Sequence, residues 1–186
     1  MLFRSAWRLR ESVEERTASP EAMLKWLADA GLADRPTVAR TRAQWKSSPR
    51  DAQAFLKTAL ELREAIYQLF IARIDGRKAD PAAPEILNQH LSGASRGLGL
   101  SSLKSLRWRS SSEGLVPEAL LKPIAWSAVG LLTGPRAQKV KQCQDERGCG
   151  WLFIDESRAQ NRRWCSMGDC GNLAKSRRHY HRATQK

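Results

Sequence analysis

Cysteine is missing from the first 142 residues of this 186-residue chain; all four cysteines fall in its last third. A small disulfide scaffold spreads its cysteines through the fold, so this placement argues against one. Long apolar runs are missing as well. No stretch approaches the ~20 residues that cross a bilayer, and the opening residues, which turn acidic quickly, hold no apolar run of secretory length. A soluble, cytoplasmic protein without membrane attachment is expected. Histidine is scarce, with only His90, His179 and His181. There is no Ser/His/Asp signature, no Walker-type glycine loop and no HExxH motif. Asp51, Glu61 and Glu64 read as helix-surface carboxylates, and no enzyme is expected. Acid is in deficit: 19 Asp and Glu face 32 Lys and Arg, leaving a net charge of +13. Such a balance points to a polyanionic partner, most often nucleic acid.

What is present concentrates at the C-terminal end. Cys143, Cys149, Cys165 and Cys170 form the pattern C-x5-C-x15-C-x4-C. Two close pairs separated by a strand-length linker read as two knuckles sharing one tetrahedral Zn2+, which prefers thiolates and fills its shell in structural sites. The competing reading is a disulfide framework with about three connectivities, which needs an oxidising compartment. Both pairs end in Cys-Gly, where Gly150 and Gly171 are expected to take positive φ and turn backbone N–H groups toward sulfur. Four cysteines leave little need for His179 or His181 as ligands. Residues 138–186 carry 11 Lys and Arg against 5 Asp and Glu, more than twice the net charge density of residues 1–137.

The first 137 residues read as a mainly helical α+β domain, and residues 138–186 as a zinc module of β-hairpin and helix. Ser19, Pro20 and Gly31 bracket a short helix with Met23, Leu24, Trp26 and Leu27 on its buried side. Ser48-Pro49-Arg50-Asp51 resembles a capping box. Phe55, Ala59, Leu62, Ile66, Leu69 and Phe70 then recur at helical spacing up to Ile74, before Asp75-Gly76. This stripe is expected to face Leu121, Ile124 and Val129 of an apolar helix that starts near Pro117, ends at Gly134-Pro135 and lies centrally in the core. Residues 77–84 read as a loop, Glu85–Leu91 as a short helix, and 92–112 as a hairpin carrying Leu103, Leu106 and Trp108. Val140–Cys143 and Trp151–Ile154 should pair antiparallel around the first knuckle. A last helix, to about Arg182, puts Leu173 and Tyr180 on one face and Lys175, Arg178, His179 and Arg182 on another.

Arg158, Arg162 and Arg163 lie between the knuckles, and Lys175, Arg177, Arg178 and Arg182 follow the second. Held together by zinc, the two sets could converge on phosphates. Arg162 or Arg163 could instead pair with Asp155. Trp151 and Trp164 are expected to cover the metal.

The run Cys149-Gly150-Trp151-Leu152-Phe153-Ile154-Asp155, Ser157-Arg158, Arg162-Arg163-Trp164-Cys165-Ser166-Met167 and Cys170-Gly171-Asn172, with Cys143, Lys175 and Arg178, resembles the CGNR zinc finger family. The two-part layout resembles bacterial proteins that join this finger to an N-terminal ABATE domain. The resemblance implies a stress-related transcription regulator whose finger binds DNA. Two departures stand out: Leu173 occupies the place of the motif's final Arg, and the family's apolar opening strand is replaced by Met1-Leu-Phe-Arg-Ser-Ala-Trp. The expected function is a DNA-binding regulator, with DNA contacts from Arg158, Arg162, Lys175, Arg177, Arg178 and Arg182. The first domain would serve a small-molecule effector or homodimerisation. The alternatives are a zinc-stapled protein-interaction module and an RNA-binding protein.

Overall fold

The computed structural model describes residues 17–92, 98–100, 108–110, 117–145 and 148–184. Helix α1 (Pro20–Asp29) begins where Ser19 Oγ accepts from the Ala22 N–H at 3.1 Å, with Pro20 at the first position. It ends at Gly31, whose φ of 72° lets Leu32 N–H reach back to the Leu27 carbonyl. The same device closes α3 (Pro49–Ile74): Gly76 has φ 64°, and Arg77 N–H donates to the Ala72 carbonyl.

Between them lies α2 (Arg35–Ser47), which apolar periodicity misses. Its buried positions are Thr37, Thr41 and Trp45, two of them threonine, so the helix shows no apolar stripe. Its start is nevertheless encoded by Asp34, whose Oδ1 accepts from Thr37 N–H at 2.9 Å. The expected capping box at Ser48 does not form. Ser48 makes no side-chain cap bond, and its N–H, which Asp51 would have to meet in such a box, goes to the Gln44 carbonyl at the end of α2. Pro49 alone sets the first turn of α3.

Helix α4 (Ala82–Leu91) starts three residues before Glu85. Asp80 accepts from Ala82 N–H at 2.9 Å, and Pro84 falls in the first turn, where a missing N–H costs nothing. Strands β1 (Leu98–Leu100) and β2 (Trp108–Ser110) pair antiparallel as expected; Leu103, Leu106 and the opening Met1–Trp7 lie outside the described residues. A 3-10 turn at Pro117–Leu121 leads into α5 (Lys122–Thr133), with Pro123 in the first turn.

The core forms where α3 meets α1, α2, α4 and α5. Phe55, Leu62, Ile66 and Phe70 share one buried cluster with Leu120, Leu121, Ile124 and Ala125, while Val129 lies at its margin. Helix α5 is less central than its composition suggests. It buries Ile124, Ala125 and Ala128, but Trp126 on its far side is 47% exposed. Its apolar outer face therefore meets solvent, not a second layer. Ile74 likewise falls outside the core.

Strands β3 (Val140–Gln142) and β4 (Leu152–Ile154) pair in the register Val140↔Ile154, Lys141↔Phe153 and Gln142↔Leu152. Alternation sends Val140 and Leu152 into the main core. The side of the ladder bearing Phe153 joins the cysteines instead. This small hairpin packs on α3, so both parts of the chain rest on one long helix. The C-terminal helix α6 (Asn172–Thr184) continues directly from the turn Met167–Gly171.

Candidate metal centre and basic face

Cys143 ends β3, and its N–H donates to the Trp151 carbonyl at 2.8 Å, which closes the first knuckle. The turn is made by Gly148 and Gly150, with φ of 83° and 62°. At Gly150 positive φ was expected; Gly148 adds a second such position before the cysteine. The second knuckle is built differently. Ser166 Oγ accepts from Asp169 N–H, and Gly171 N–H returns to the Ser166 carbonyl in a wide π-type turn. Gly171 does not take positive φ. Space there is tight instead: a Cβ would lie 3.0 Å from Met167 Sδ, at the flexible end of that side chain.

The four thiol sulfurs all lie within 4.8 Å of one another. Cys149 and Cys165 Sγ are 3.7 Å apart, and Cys165 and Cys170 Sγ are 3.8 Å apart. A tetrahedron with Zn–S bonds of about 2.3 Å has edges of about 3.8 Å, whereas a disulfide needs about 2.05 Å. All four cysteines are free thiols. The donor set therefore fits one structural zinc ion.

Thiols of Cys149 and Cys165 donating to Cys143 hold that sulfur far below an ordinary thiol. In the metal-free arrangement the Cys149 and Cys165 thiols are pushed up, chiefly by donating to Cys143, and Cys170 by burial. Four thiolates this close need a cation among them. Backbone N–H groups supply part of the compensation: Cys165 donates to Cys143 Sγ at 3.4 Å, Asp145 also donates to Cys143, and Trp151 to Cys149. Trp151 is buried against the cysteines and Trp164 partly so, as expected of covering residues.

The linker between the knuckles is organised by Asp155, which is fully buried. Its carboxylate accepts from Lys141 Nζ at 2.8 Å, Ser157 Oγ at 2.6 Å, Ser157 N–H at 3.1 Å and Arg162 N–H at 2.9 Å. Burial alone would raise its pKa, but these donors, Lys141 first, hold the carboxyl well below the usual range. The alternative reading, in which the side chain of Arg162 or Arg163 pairs with Asp155, does not hold. Arg162 meets Asp155 through its backbone, while its guanidinium donates to the Cys165 carbonyl at 2.9 Å and lies 5.0 Å from the Phe153 ring centre. Arg163 donates to Gln144 Oε1 at 2.8 Å and covers Trp164. The role of Lys141 escapes a sequence reading because only strand pairing brings it beneath the linker.

Arg158, Lys175 and Arg177 are exposed. Arg178 and Arg182 belong to α6 by backbone, and their side chains lie outside the described residues. The spacing 175, 178, 182 follows one face of that helix. Leu173 and Tyr180 are 41% and 69% exposed, so the face they share is open to solvent. His179 is exposed and does not join the sulfur cluster.

The finger is also tied to the helical part by side chains. Tyr67 Oη donates to the Gly150 carbonyl at 3.2 Å and accepts from Gln142 Nε2 at 2.8 Å. Tyr67 thus grips the first knuckle from α3, a contact that nothing local in the sequence announces. No helix among the described residues is long and apolar enough to cross a membrane.

None of the curated proteins compared matches this chain. Two family models do. Residues 139–183 match the CGNR zinc finger, and residues 2–135 match ABATE, described as "Putative stress-induced transcription regulator". The chain therefore belongs to the ABATE family of regulators and carries a CGNR zinc finger behind the ABATE domain.

Proposed function

We propose that the protein is a cytoplasmic, DNA-binding transcription regulator whose finger presents α6 to phosphates. The observation that carries this reading is the position of α6. A helix with Lys175, Arg177, Arg178 and Arg182 and no acidic residue begins two residues after the last zinc ligand, Cys170. Ordering the two knuckles around zinc orders the start of this helix, since metal binding and folding are coupled. Arg158 and Arg162 add cations from the linker, Arg162 as a guanidinium fixed in place by the Cys165 carbonyl. Lys175, Arg178 and Arg182 would follow the phosphates, while Arg177, on another side of the helix, would reach a base edge.

A cavity of about 610 Å³ between α1, α3 and α5 is lined by Trp26, Leu32, Ile66, Ile124, Ser127 and Leu131, among others. It suits a small apolar effector. Leu131 and Ser127 also line a groove that reaches Ile154 of β4, giving such a ligand a packed route to the finger.

The test is duplex DNA binding by zinc-loaded protein at several salt concentrations. Replacing Lys175, Arg178 and Arg182 together by Ala should weaken binding to all sequences alike and lower the log–log salt slope by about 0.9 per lost contact. Zinc content should not change. Wild-type binding by the triple variant at every salt concentration would exclude this helix as the nucleic-acid surface. The zinc-stapled protein-interaction module would then be the better reading. Equal or stronger binding to RNA would favour the third.

A further inference from the structure

We propose that Cys165 is a modification site for peroxide-class oxidants, and that its oxidation joins it to Cys170 and releases α6 from the finger. The argument begins with unequal exposure. Cys143, Cys149 and Cys170 are 5%, 1% and 1% exposed, whereas Cys165 is only partly buried. Three residues of the cluster are therefore buried, and Cys165 is the least covered of the four. Zinc-bound cysteine is a thiolate, the form that attacks oxidants, and access then decides which one reacts.

All three other sulfurs lie near Cys165: Cys149 at 3.7 Å, Cys170 at 3.8 Å and Cys143 within 4.8 Å. Their surroundings separate them. Cys143 and Cys149 sit in the knuckle that β3, β4 and the Tyr67–Gly150 hydrogen bond hold against α3. Cys170 belongs to the 166–171 turn, from which α6 continues. Closing from 3.8 Å to a bond of about 2.05 Å requires movement, and the second knuckle is the part with fewer ties to the body.

The chemistry balances with peroxide as oxidant. The Cys165 thiolate attacks one peroxide oxygen; an S–O bond forms, the O–O bond breaks, and the departing hydroxide takes a proton to become water. The sulfur is now a sulfenic acid, oxidised by two electrons. The Cys170 thiolate attacks it, forming the S–S bond and expelling hydroxide, which is protonated to a second water. Cys143 and Cys149 alone no longer fill a four-thiolate shell, so the ion is lost, and the turn that seats α6 loses its anchor. A thiol reductant reverses the disulfide and restores the site.

The experiment does not depend on DNA binding. The full-length, zinc-loaded chain is treated with limiting hydrogen peroxide while released zinc is followed with a colorimetric chelator. The cysteines are then mapped by mass spectrometry. The expected result is zinc release in step with a Cys165–Cys170 disulfide, and zinc uptake after reduction. A first disulfide that includes Cys143 or Cys149, whether with each other or with Cys165, would overturn the proposal, as would release without any disulfide. Cys165→His keeps four ligands and removes the exposed sulfur, so it should slow peroxide-driven release by about tenfold or more. Release as fast as in wild type would overturn the assignment. If that variant fails to hold zinc, the wild-type map still decides.

Discussion

Asp155 shows how a single buried charge can organise a segment without regular structure. With four donors around it, the carboxylate fixes the path of 155–162 between the two pairs of zinc ligands. Its folded-state pKa is depressed, so its stabilising effect is complete above the ordinary value of 3.8 and is lost as pH falls below it. In denaturant titrations of zinc-loaded protein, Asp155→Asn should lower the midpoint by a constant amount at about pH 5 to 8. The gap to wild type should shrink as pH falls below 3.8, where the unfolded chain takes up a proton that the folded carboxylate resists. A gap that persists unchanged into acid would show that the lost hydrogen-bond geometry, not the charge, matters. Gly150 supplies a second test. At φ 62° a Cβ is strained whatever the space around it, and here it would also lie 3.4 Å from Tyr67 Oη. Gly150→Ala should cost about 1–2 kcal/mol in urea unfolding. Gly171→Ala should cost less, because its new Cβ meets the flexible end of Met167.

Among the elements, α3 carries the most. Its 26 residues make a rod about 39 Å long that touches α1, α2, α4, α5 and β3. Leu62 and Ile66, at 0% and 3% exposure, sit on its buried stripe. Leu62→Ala or Ile66→Ala should destabilise by about 2–5 kcal/mol, measured by chemical denaturation, with the spread set by how far the site collapses. A loss under about 0.5 kcal/mol would mean that the surrounding helices close the gap almost completely. Most of α3 was legible in the sequence because an apolar stripe at helical spacing, sustained from Phe55 to Phe70, is what a helix with one buried side requires. Helix α2 was not: Thr37 and Thr41 pack inward through side chains that a polarity pattern counts as solvent-facing. The stripe on α6 shows the reverse case. Leu173 and Tyr180 recur at helical spacing, yet they remain 41% and 69% exposed.

At the scale of the molecule, the finger is a tethered part of one structure, because Val140 and Leu152 enter the main core and Tyr67 holds the first knuckle. Tyr67→Phe keeps the ring and removes both hydrogen bonds, each worth about 0.5–1.5 kcal/mol. Amide exchange around 142–151 should quicken while α1 and α2 are unaffected. Unchanged exchange there would mean that Val140 and Leu152 alone hold the finger down.

The sequence by itself determined the features whose causes are local. Four cysteines at fixed spacing specify a thiolate zinc site, and the runs from Cys149 to Asn172 identify the finger family. Ser19, Gly31 and Gly76 mark helix ends because capping depends on residues a few positions away. Tertiary structure alone decided which cation meets Asp155, which cysteine is least buried, and which residue of α3 grips the zinc knuckle. Each of those depends on bringing together segments 14 to 83 residues apart. Distance and exposure across such gaps follow from how whole faces pack, and no short stretch of sequence contains that information.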